Sequence, residues 1–361
     1  MNTKLLLTPG PTTIPERITE AMQVSGLHHR SQEFKKLFLE VTSGLKELLG
    51  CAHNPVLITG SGTAAMEASL AGVVPVGAKV LVLRAGKFGE RWSEMAARLG
   101  FKLVELEAEY GSTFSPAEIE KRLLNNPDIK AVCFQYCETS TGAIHNAAEI
   151  ISLTNKITPD ALTLLDAITA IGTLEVNISE LGADALIGGS QKALMLPPGL
   201  SFVALSDRAV QMLEQVESPA YYLNLRREFK SQLDGSTAWT PAISIIAGLK
   251  EALAMIREET PERVFMRHAQ LAEATRSGLK ELGFKLLAEE CPAPGVTAAF
   301  PPAGINADEL RMKLLKEDHI QIAGGQGKLK GKIIRVGHMG YVFPGDICRL
   351  FEAFESVISN R

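Results

Sequence analysis

The stretch GGSQKALMLPPG, residues 188–199, places a lysine where an ordinary surface lysine is not expected. Lys192 closely follows two glycines at the end of an apolar run, and an apolar segment bounded by prolines comes directly after it. Burial takes water away from an amine, which lowers its pKa and leaves it available as a nucleophile. A solvated loop lysine is the alternative, and the rest of the sequence has to decide between the two.

Short apolar or β-branched segments recur along the chain around this lysine. They are PVLITG (55–60), KVLVLR (79–84), FKLVELEA (101–108), IKAVCFQY (129–136), LTLLDAIT (162–169), ADALIGGS (183–190) and LSFVALS (200–206). Helical patterns such as 63–74 and 88–100 lie between most of them. Strands that alternate with helices predict right-handed crossovers and a mainly parallel sheet. Only the turn that contains Lys192 separates the last two segments, which allows one antiparallel strand.

The pattern changes after residue 210. A polar stretch, 218–240, leads into PAISIIAGLKEALAMIREE (241–259), which has apolar residues at helical spacing and the length of a connecting helix. The remainder predicts helix, strand, helix, strand and helix. We therefore predict an α/β protein with a mainly parallel seven-stranded sheet in a large domain and a smaller α+β C-terminal domain. The predicted parts are an N-terminal arm (1–20), the large domain (21–255) and the small domain (256–361).

Composition narrows the class of partner. The chain has 361 residues, 46% of them hydrophobic, and a net charge of −4, so it lacks the basic surplus that binding to nucleic acid or an anionic membrane requires. A small-molecule partner is the expectation. The N-terminal apolar run is too short for a signal peptide, no apolar run is long enough to span a membrane, and the five cysteines are scattered. These features predict a cytoplasmic protein and indicate no metal site.

Ligands bind at the carboxyl ends of the strands in an open α/β sheet. There the segment TGSGTAAMEA (59–68) offers backbone N–H groups, a helix dipole and the hydroxyls of Ser61 and Thr63, which together can bind a phosphate. A glycine turn with a serine or threonine N-cap is the alternative. The segment also fits the looser dinucleotide pattern GxGxxA, but the next strand ends in Arg84 instead of the acid that would hold a ribose.

Asp166 ends an apolar strand, where a buried carboxylate needs a partner. A protonated ring nitrogen would serve, and the alternative is an aspartate that caps the next turn. A cofactor with an aldehyde, a phosphate and a pyridine ring requires an anion site, an acid for the ring nitrogen, a lysine and a flat side chain against the ring. Residues 61–63, Asp166, Lys192 and Phe88 can supply these in that order.

With these motifs in this order, the sequence resembles the class V (fold type I) pyridoxal-phosphate aminotransferases of the serine–pyruvate / alanine–glyoxylate group. The resemblance runs over nearly the whole chain. It is carried by LTPGPTTIP (7–15), HHRSQEF (28–34), TGSGTAAMEA (59–68), AGKFGERW (85–92), ETSTG (138–142), LDAITAIG (165–172), GGSQKALMLPPG (188–199), TAWTPAIS (237–244) and GGQGKLKGKIIRVGHMG (324–340).

The resemblance implies a role for each matching residue. Lys192 would hold pyridoxal 5'-phosphate covalently and move the proton at the substrate α-carbon, Asp166 would pair with the pyridine nitrogen, and Phe88 would stack on the ring. Thr139 would lie near the phenolic oxygen. The implied phosphate contacts are Ser61, Gly62, Thr63 and Gln191, completed by Thr237 and Thr240 of a neighbouring subunit in a homodimer with shared active sites. Arg335 would bind the substrate α-carboxylate, with a strand-edge surface arginine as the alternative, and Gly10 would lie in a loop near the substrate.

The implied function is transamination by a ping-pong mechanism, from alanine or serine to glyoxylate or pyruvate. An aspartate-type enzyme is an alternative, because Arg30, Arg226 and Arg227 could reach in from a partner subunit. A cysteine desulfurase is disfavoured, since Gln191 and Phe88 stand where the desulfurases carry histidines, and GINADELRMKLLKEDHIQIAGG (304–325) has no cysteine where they carry their nucleophile. A non-catalytic subunit of a larger complex is the remaining alternative.

Overall fold

The computed structural model describes residues 4–359, which form a seven-stranded sheet, a five-stranded sheet and a two-stranded sheet of Cys137–Glu138 and Ala143–Ile144. The strands are β1 (Leu5–Leu7), β2 (Val56–Thr59), β3 (Lys79–Arg84), β4 (Lys102–Glu107), β5 (Ile129–Gln135), β6 (Cys137–Glu138), β7 (Ala143–Ile144), β8 (Leu162–Asp166), β9 (Ala185–Gly189), β10 (Leu200–Leu205), β11 (Lys285–Leu286), β12 (Val296–Phe300), β13 (Ile320–Gly324) and β14 (Ile334–Gly337).

Helices precede, connect and follow these strands. They are α1 (Glu16–Ala21), α2 (Gln32–Leu49), α3 (Gly62–Val73), α4 (Lys87–Arg98), α5 (Pro116–Leu124), α6 (Ala147–Ile157), α7 (Ile178–Leu181), α8 (Asp207–Gln215), α9 (Leu225–Gln232), α10 (Ile243–Glu259), α11 (Pro261–Glu281), α12 (Ala307–Glu317) and α13 (Pro344–Ser359), with a 3₁₀ turn at Gly327–Leu329.

The large sheet has seven strands in the order β2-β10-β9-β8-β5-β3-β4. Each of the seven apolar segments forms one of them, and β10 alone runs antiparallel to both of its neighbours, β9 and β2. Strands β8, β9 and β10 are buried along their whole length. Their near-continuous apolar sequences are typical of a sheet with both faces covered, and the predicted mainly parallel seven-stranded sheet is confirmed.

Helices cover both faces of this sheet. One face packs against α2, α5, α6 and α10 through side chains such as Phe38, Ile150 and Leu249. The other packs against α3, α4, α8 and α9 through side chains such as Leu70, Trp92 and Leu213. The sheet is therefore the middle of three layers, which leaves its edges and the ends of its strands as the places where a ligand can enter.

The second sheet has the order β1-β13-β14-β12-β11 and packs against α11, α12 and α13. Its first strand comes from the start of the chain, because Leu5–Leu7 pairs in parallel with β13. The C-terminal region has four strands where the sequence predicted two, since the short strands β11 and β14 are set off by glycine turns. The predicted boundary after residue 255 falls inside α10, and the division into three parts stays a prediction.

The strand order brings five chain segments to one edge of the large sheet. Strands β2, β3, β5, β8 and β9 are mutually parallel, so the residues that follow them meet at their carboxyl ends. The segment after β1 crosses to the same place and reaches Lys192. Within residues 4–359, no helix combines the length and apolar character needed to cross a membrane.

Candidate active site

A cavity of about 380 Å³ lies where these strand ends meet. Many of the predicted site residues line it: Gly10, Ser61, Gly62, Thr63, Phe88, Thr139, Asp166, Gln191 and Lys192. Five further residues line it: Pro11, Arg91, Ile168, Thr169 and Pro198.

Lys192 is an interior residue with 7% of its surface exposed, so the surface-loop alternative is wrong. Its Nζ donates a hydrogen bond to the carbonyl oxygen of Pro9, and its own carbonyl accepts one from Thr12 Oγ1 at 2.8 Å. Burial lowers the pKa of the Lys192 amine to about 8, and the positive charge of Arg335 acts in the same direction. Near neutral pH a useful fraction of this amine is therefore unprotonated and nucleophilic.

Gly10 packs directly against this lysine. It has a φ of +102°, a conformation that favours glycine, and a Cβ placed on it would lie 2.6 Å from Lys192 Cδ and 2.7 Å from Nζ. The N-terminal segment thus closes over the lysine only because a glycine stands here.

Asp166 supplies a buried carboxylate at the end of β8. Burial raises its pKa to about 6, and Oδ1 accepts a hydrogen bond from the N–H of Ile168 at 3.0 Å. The turn-capping bond of the alternative interpretation is therefore present. It satisfies only part of the carboxylate, and Asp166 forms no ion pair with another described residue. A protonated nitrogen in the cavity would be the partner that burial of this group calls for.

The start of α3 forms a corner suited to an anion. Its N-cap residue, Ser61, makes no side-chain hydrogen bond to the helix, which leaves the Ser61 hydroxyl and the N–H groups of Gly62 and Thr63 for a ligand. Gly62 packs closely there, because a Cβ would lie 2.1 Å from Ile168 Cδ1. Arg91 adds a positive charge, since its Nη1 donates to Thr63 Oγ1 at 2.8 Å.

Arg91 is a charged cavity residue that sequence reasoning missed. It lies three positions after Phe88 on α4, and its guanidinium carbon is 4.7 Å from the centre of the Phe88 ring. The spacing was a usable signal, since residues three apart on a helix share a face. If Phe88 faces the cavity, Arg91 is expected there too.

Two polar groups complete the cavity wall. Gln191 Oε1 is buried with no hydrogen-bond partner among the described residues, and an amide in that state can be turned so that Nε2 donates to an anion. Thr139 Oγ1 lies 2.6 Å from Thr169 Oγ1. The unpaired amide, the buried carboxylate and the cationic corner fit the phosphate and the pyridine nitrogen of pyridoxal phosphate.

Arg335 lies on β14 next to this wall and is 6% exposed, so the surface-arginine alternative is wrong. Its Nε donates to Gly324 O at 2.8 Å and its Nη1 donates to Thr139 O at 3.0 Å. Burial lowers the pKa of this guanidinium to about 10, and the negative charge of Glu138 opposes that shift. The group remains a cation at neutral pH, held beside the residues that line the cavity.

Thr237 and Thr240 do not line the cavity of their own chain. Thr237 Oγ1 donates to the carbonyl oxygen of Trp239 at 2.6 Å, and Thr240 is exposed. Their expected contribution to the site of a neighbouring subunit stays a prediction.

Comparison with known proteins identifies the family. Residues 5–336 match the family described as aminotransferase class-V. The soluble hydrogenase 42 kDa subunit of Anabaena cylindrica is 37% identical over 98% of this chain and 93% of its own. The serine–glyoxylate aminotransferase of Methylorubrum extorquens is 34% identical over 93% of this chain and 86% of its own.

Solved structures agree in fold over the whole chain. An aspartate aminotransferase from Thermus thermophilus superimposes with a TM-score of 0.92 at 33% identity, covering 99% of both chains. An alanine–glyoxylate aminotransferase from Nostoc sp. gives 0.94 at 30% identity, covering 99% of this chain and 96% of that one. The chain therefore belongs to the class V aminotransferases, enzymes of the fold type I architecture that work with pyridoxal phosphate.

Proposed function

We propose that the protein transfers the amino group of serine or alanine to glyoxylate or pyruvate by a ping-pong mechanism. The observation that carries the proposal is the placement of two buried basic groups: the Lys192 amine lines the cavity, and the Arg335 guanidinium is hydrogen-bonded to Thr139, which lines it too. The Lys192 amine can act at the α-carbon of an amino acid while the Arg335 guanidinium binds the carboxylate of that amino acid. The serine–glyoxylate and alanine–glyoxylate enzymes named above support this choice of substrates.

Lys192 would hold the cofactor through Nζ, and the same nitrogen moves a proton at the substrate α-carbon. Its lowered pKa suits both tasks, because an amine that titrates near the working pH can accept a proton and return it. The carbonyl oxygen of Pro9 orients Nζ through a hydrogen bond. Bound pyridoxal phosphate supplies the electron-withdrawing ring that stabilises negative charge at that carbon.

The other cavity residues would bind and orient this cofactor. Asp166 would pair with the ring nitrogen and keep it protonated, and Phe88 would pack against the ring. The first turn of α3, together with Thr63 and Arg91, would bind the phosphate, and the Gln191 amide would complete its contacts.

Arg335 would bind the α-carboxylate in both half-reactions. Two of its five N–H donors are used on the carbonyls of Gly324 and Thr139, which fixes the plane of the guanidinium. The remaining donors can form the paired hydrogen bonds that a carboxylate accepts.

A neutral amino donor fits the charges of the cavity. Of the described residues that line it, Arg91 and Lys192 are the cations, and Arg91 is bonded to Thr63. Of the arginines considered for an aspartate side chain, Arg226 donates to the carbonyls of Leu213 and Val216, and Arg227 lies over the Trp239 ring. The similarity to the Thermus aspartate aminotransferase keeps aspartate as the second candidate.

The proposed assembly is a homodimer in which Thr237 and Thr240 approach the neighbouring subunit's cavity. Tyr221, with 76% of its surface exposed, and Trp239 form an aromatic contact next to them. Light scattering at several concentrations measures the assembly, and a monomer that retains full turnover would exclude shared sites.

The test is a half-reaction experiment. The protein is purified with pyridoxal phosphate, and its visible absorption is recorded before and after L-serine, L-alanine and L-aspartate are added separately. We expect serine or alanine to discharge the band of the lysine-bound cofactor and glyoxylate or pyruvate to restore it. Lys192→Ala should lack both the band and turnover, with the exposed Lys121→Ala as matched control.

Three results would contradict the proposal. Discharge by aspartate alone would replace it with the aspartate-type alternative. A stable band that no amino acid discharges would leave the cofactor assignment standing but refute transamination of these donors. Full cellular function of Lys192→Ala would favour the non-catalytic role that the name of the Anabaena relative suggests.

A further inference from the structure

Glu138 is a buried carboxylate that does not line the cavity, and the mechanism above does not use it. It ends β6 with none of its surface exposed. Oε2 accepts hydrogen bonds from the N–H groups of Phe88 at 3.1 Å and Gly89 at 3.0 Å. Oε1 accepts from both the N–H and the hydroxyl of Ser140. Burial raises the pKa of the Glu138 carboxyl, but every one of these partners donates, and their hydrogen bonds oppose that shift and favour the ionised form.

The hydrogen bonds of Glu138 and Ser140 form a network, and one end of it holds the start of α4. The N-cap of that helix is Gly86, which has no side chain to bond to the first turn, and Glu138 takes over that function from another segment. A Cβ on Gly86 would lie 2.4 Å from the Glu138 carboxyl carbon, so the glycine makes room for the carboxylate. Ser140 Oγ also accepts a hydrogen bond from the N–H of Lys87 at 3.0 Å. The backbone of Phe88 is thereby fixed to residues 138–140.

The other end of the network holds the carboxylate-binding arginine. The carbonyl oxygen of Thr139 accepts the 3.0 Å hydrogen bond from Arg335 Nη1, and the Thr139 hydroxyl contacts Thr169. The charge of Glu138 also acts on the guanidinium, where it opposes the effect of burial on the pKa of Arg335. Residues 138–140 therefore contact both the segment that carries the ring-stacking side chain and the arginine from the second sheet.

We propose that Glu138 is a positioning residue for the transamination reaction. Its carboxylate fixes the Phe88 ring and the Arg335 guanidinium relative to each other, and so sets the distance between the bound ring and the substrate carboxylate. The inference rests on the proposed role of Arg335 and adds a residue that acts through it.

The test replaces the carboxylate with an amide of the same shape. In Glu138→Gln the amide NH₂ must face donors at one end or the other, because both oxygens accept backbone N–H groups. We expect the dissociation constant of pyridoxal phosphate and the KM values of both the amino donor and the 2-oxo acid to rise about tenfold, because the amide NH₂ replaces an accepting oxygen and faces another donor. The exposed Glu120→Gln on α5 is the matched control.

Ser140→Ala is the milder variant and covers the case in which Glu138→Gln fails to fold. It removes the hydroxyl that bonds to Glu138 and Lys87, and we expect the same three constants to rise two- to threefold. A lower thermal midpoint with all three constants unchanged would reduce Glu138 to a structural residue and overturn the proposal. The cofactor titration needs no substrate, so it tests Glu138 even where the proposed amino donor is wrong.

Discussion

Two helices begin at the same edge of the large sheet, and neither is capped by the side chain of its own N-cap residue. At α4 the Glu138 carboxylate accepts hydrogen bonds from the first-turn N–H groups. At α3 the corresponding end opens into the cavity beside Arg91. The protein's own carboxylate thus binds the N-terminus of α4, whereas the N-terminus of α3 remains free to bind an anionic ligand. A glycine-containing turn before a helix does not reveal which case applies, because the answer depends on a group distant in sequence.

The largest effect in this comparison is expected at the α4 end. Gly86→Ala tests it, because the substitution places a methyl group where the Glu138 carboxylate lies. We expect the free energy of unfolding to fall by about 1–3 kcal/mol, since overpacking forces buried groups apart. Cofactor affinity should fall with it. Thermal scans of the cofactor-free protein measure the first effect.

Gly345→Ala is the control for that variant. Gly345 lies at the exposed start of α13, and no atom lies within 4 Å of the position that a Cβ would take there. Alanine should be neutral or stabilising at this position by up to about 1 kcal/mol. Equal thermal unfolding midpoints for the two variants would mean that the start of α4 tolerates a side chain. The claim that Glu138 occupies the position of a cap there would then be wrong.

The second prediction concerns the open end at α3. Arg91→Gln should weaken pyridoxal phosphate binding by about 10- to 100-fold, because a charge-assisted hydrogen bond to the phosphate is lost. The stability of the cofactor-free protein should change little. Fluorescence titration measures the affinity, and Arg98→Gln, an exposed position on the same helix, is the control. Unchanged affinity in Arg91→Gln would exclude this arginine from the phosphate site.

A third prediction concerns Lys192, the amine that lines the same cavity as the start of α3, and its dependence on pH. The pKa of Lys192 is lowered to about 8, so the neutral nucleophilic form increases as pH rises through that value. The rate of covalent cofactor uptake should therefore rise about tenfold between pH 7 and pH 9 and then level off. Stopped-flow absorbance follows the reaction. A rate that still rises steeply above pH 9 would indicate an amine with an ordinary pKa.

The smallest effect is expected from inorganic phosphate. Added to the cofactor-free protein at a concentration equal to its dissociation constant, it should stabilise the fold by about 0.4 kcal/mol. Arg91→Gln should lose this gain. Sodium chloride at equal ionic strength is the control, and equal stabilisation by both salts would argue against a specific anion site at α3.

The sequence predicted the large sheet well because its strands are strongly apolar. The burial of β8 and β9 leaves a near-continuous apolar run in each segment, and the chemistry-bearing residues Asp166 and Lys192 lie at or just after the ends of these strands. The short connection between β9 and β10 indicated the antiparallel pair. Local pattern and tertiary structure agree in this part of the molecule.

The features that the sequence did not predict depend on contacts between segments that are distant along the chain. The bond of Arg91 to Thr63 requires α4 to dock beside α3, and the cap formed by Glu138 requires a turn some fifty positions later in the chain. Nothing in the leucines of β1 indicates that they pair with β13. The predicted roles of Thr237 and Thr240 concern a second subunit, which the fold of one chain does not test.

The pairing of β1 with β13 also constrains the order of events during synthesis. Leu7 lies opposite Ile322, and the segment that leaves β1 carries the Pro9 carbonyl to Lys192. On a ribosome, the early strand can therefore pair only after residues 320–322 have emerged. Because the segment that covers Lys192 follows β1, the cofactor pocket can be completed only after β13 has been synthesised.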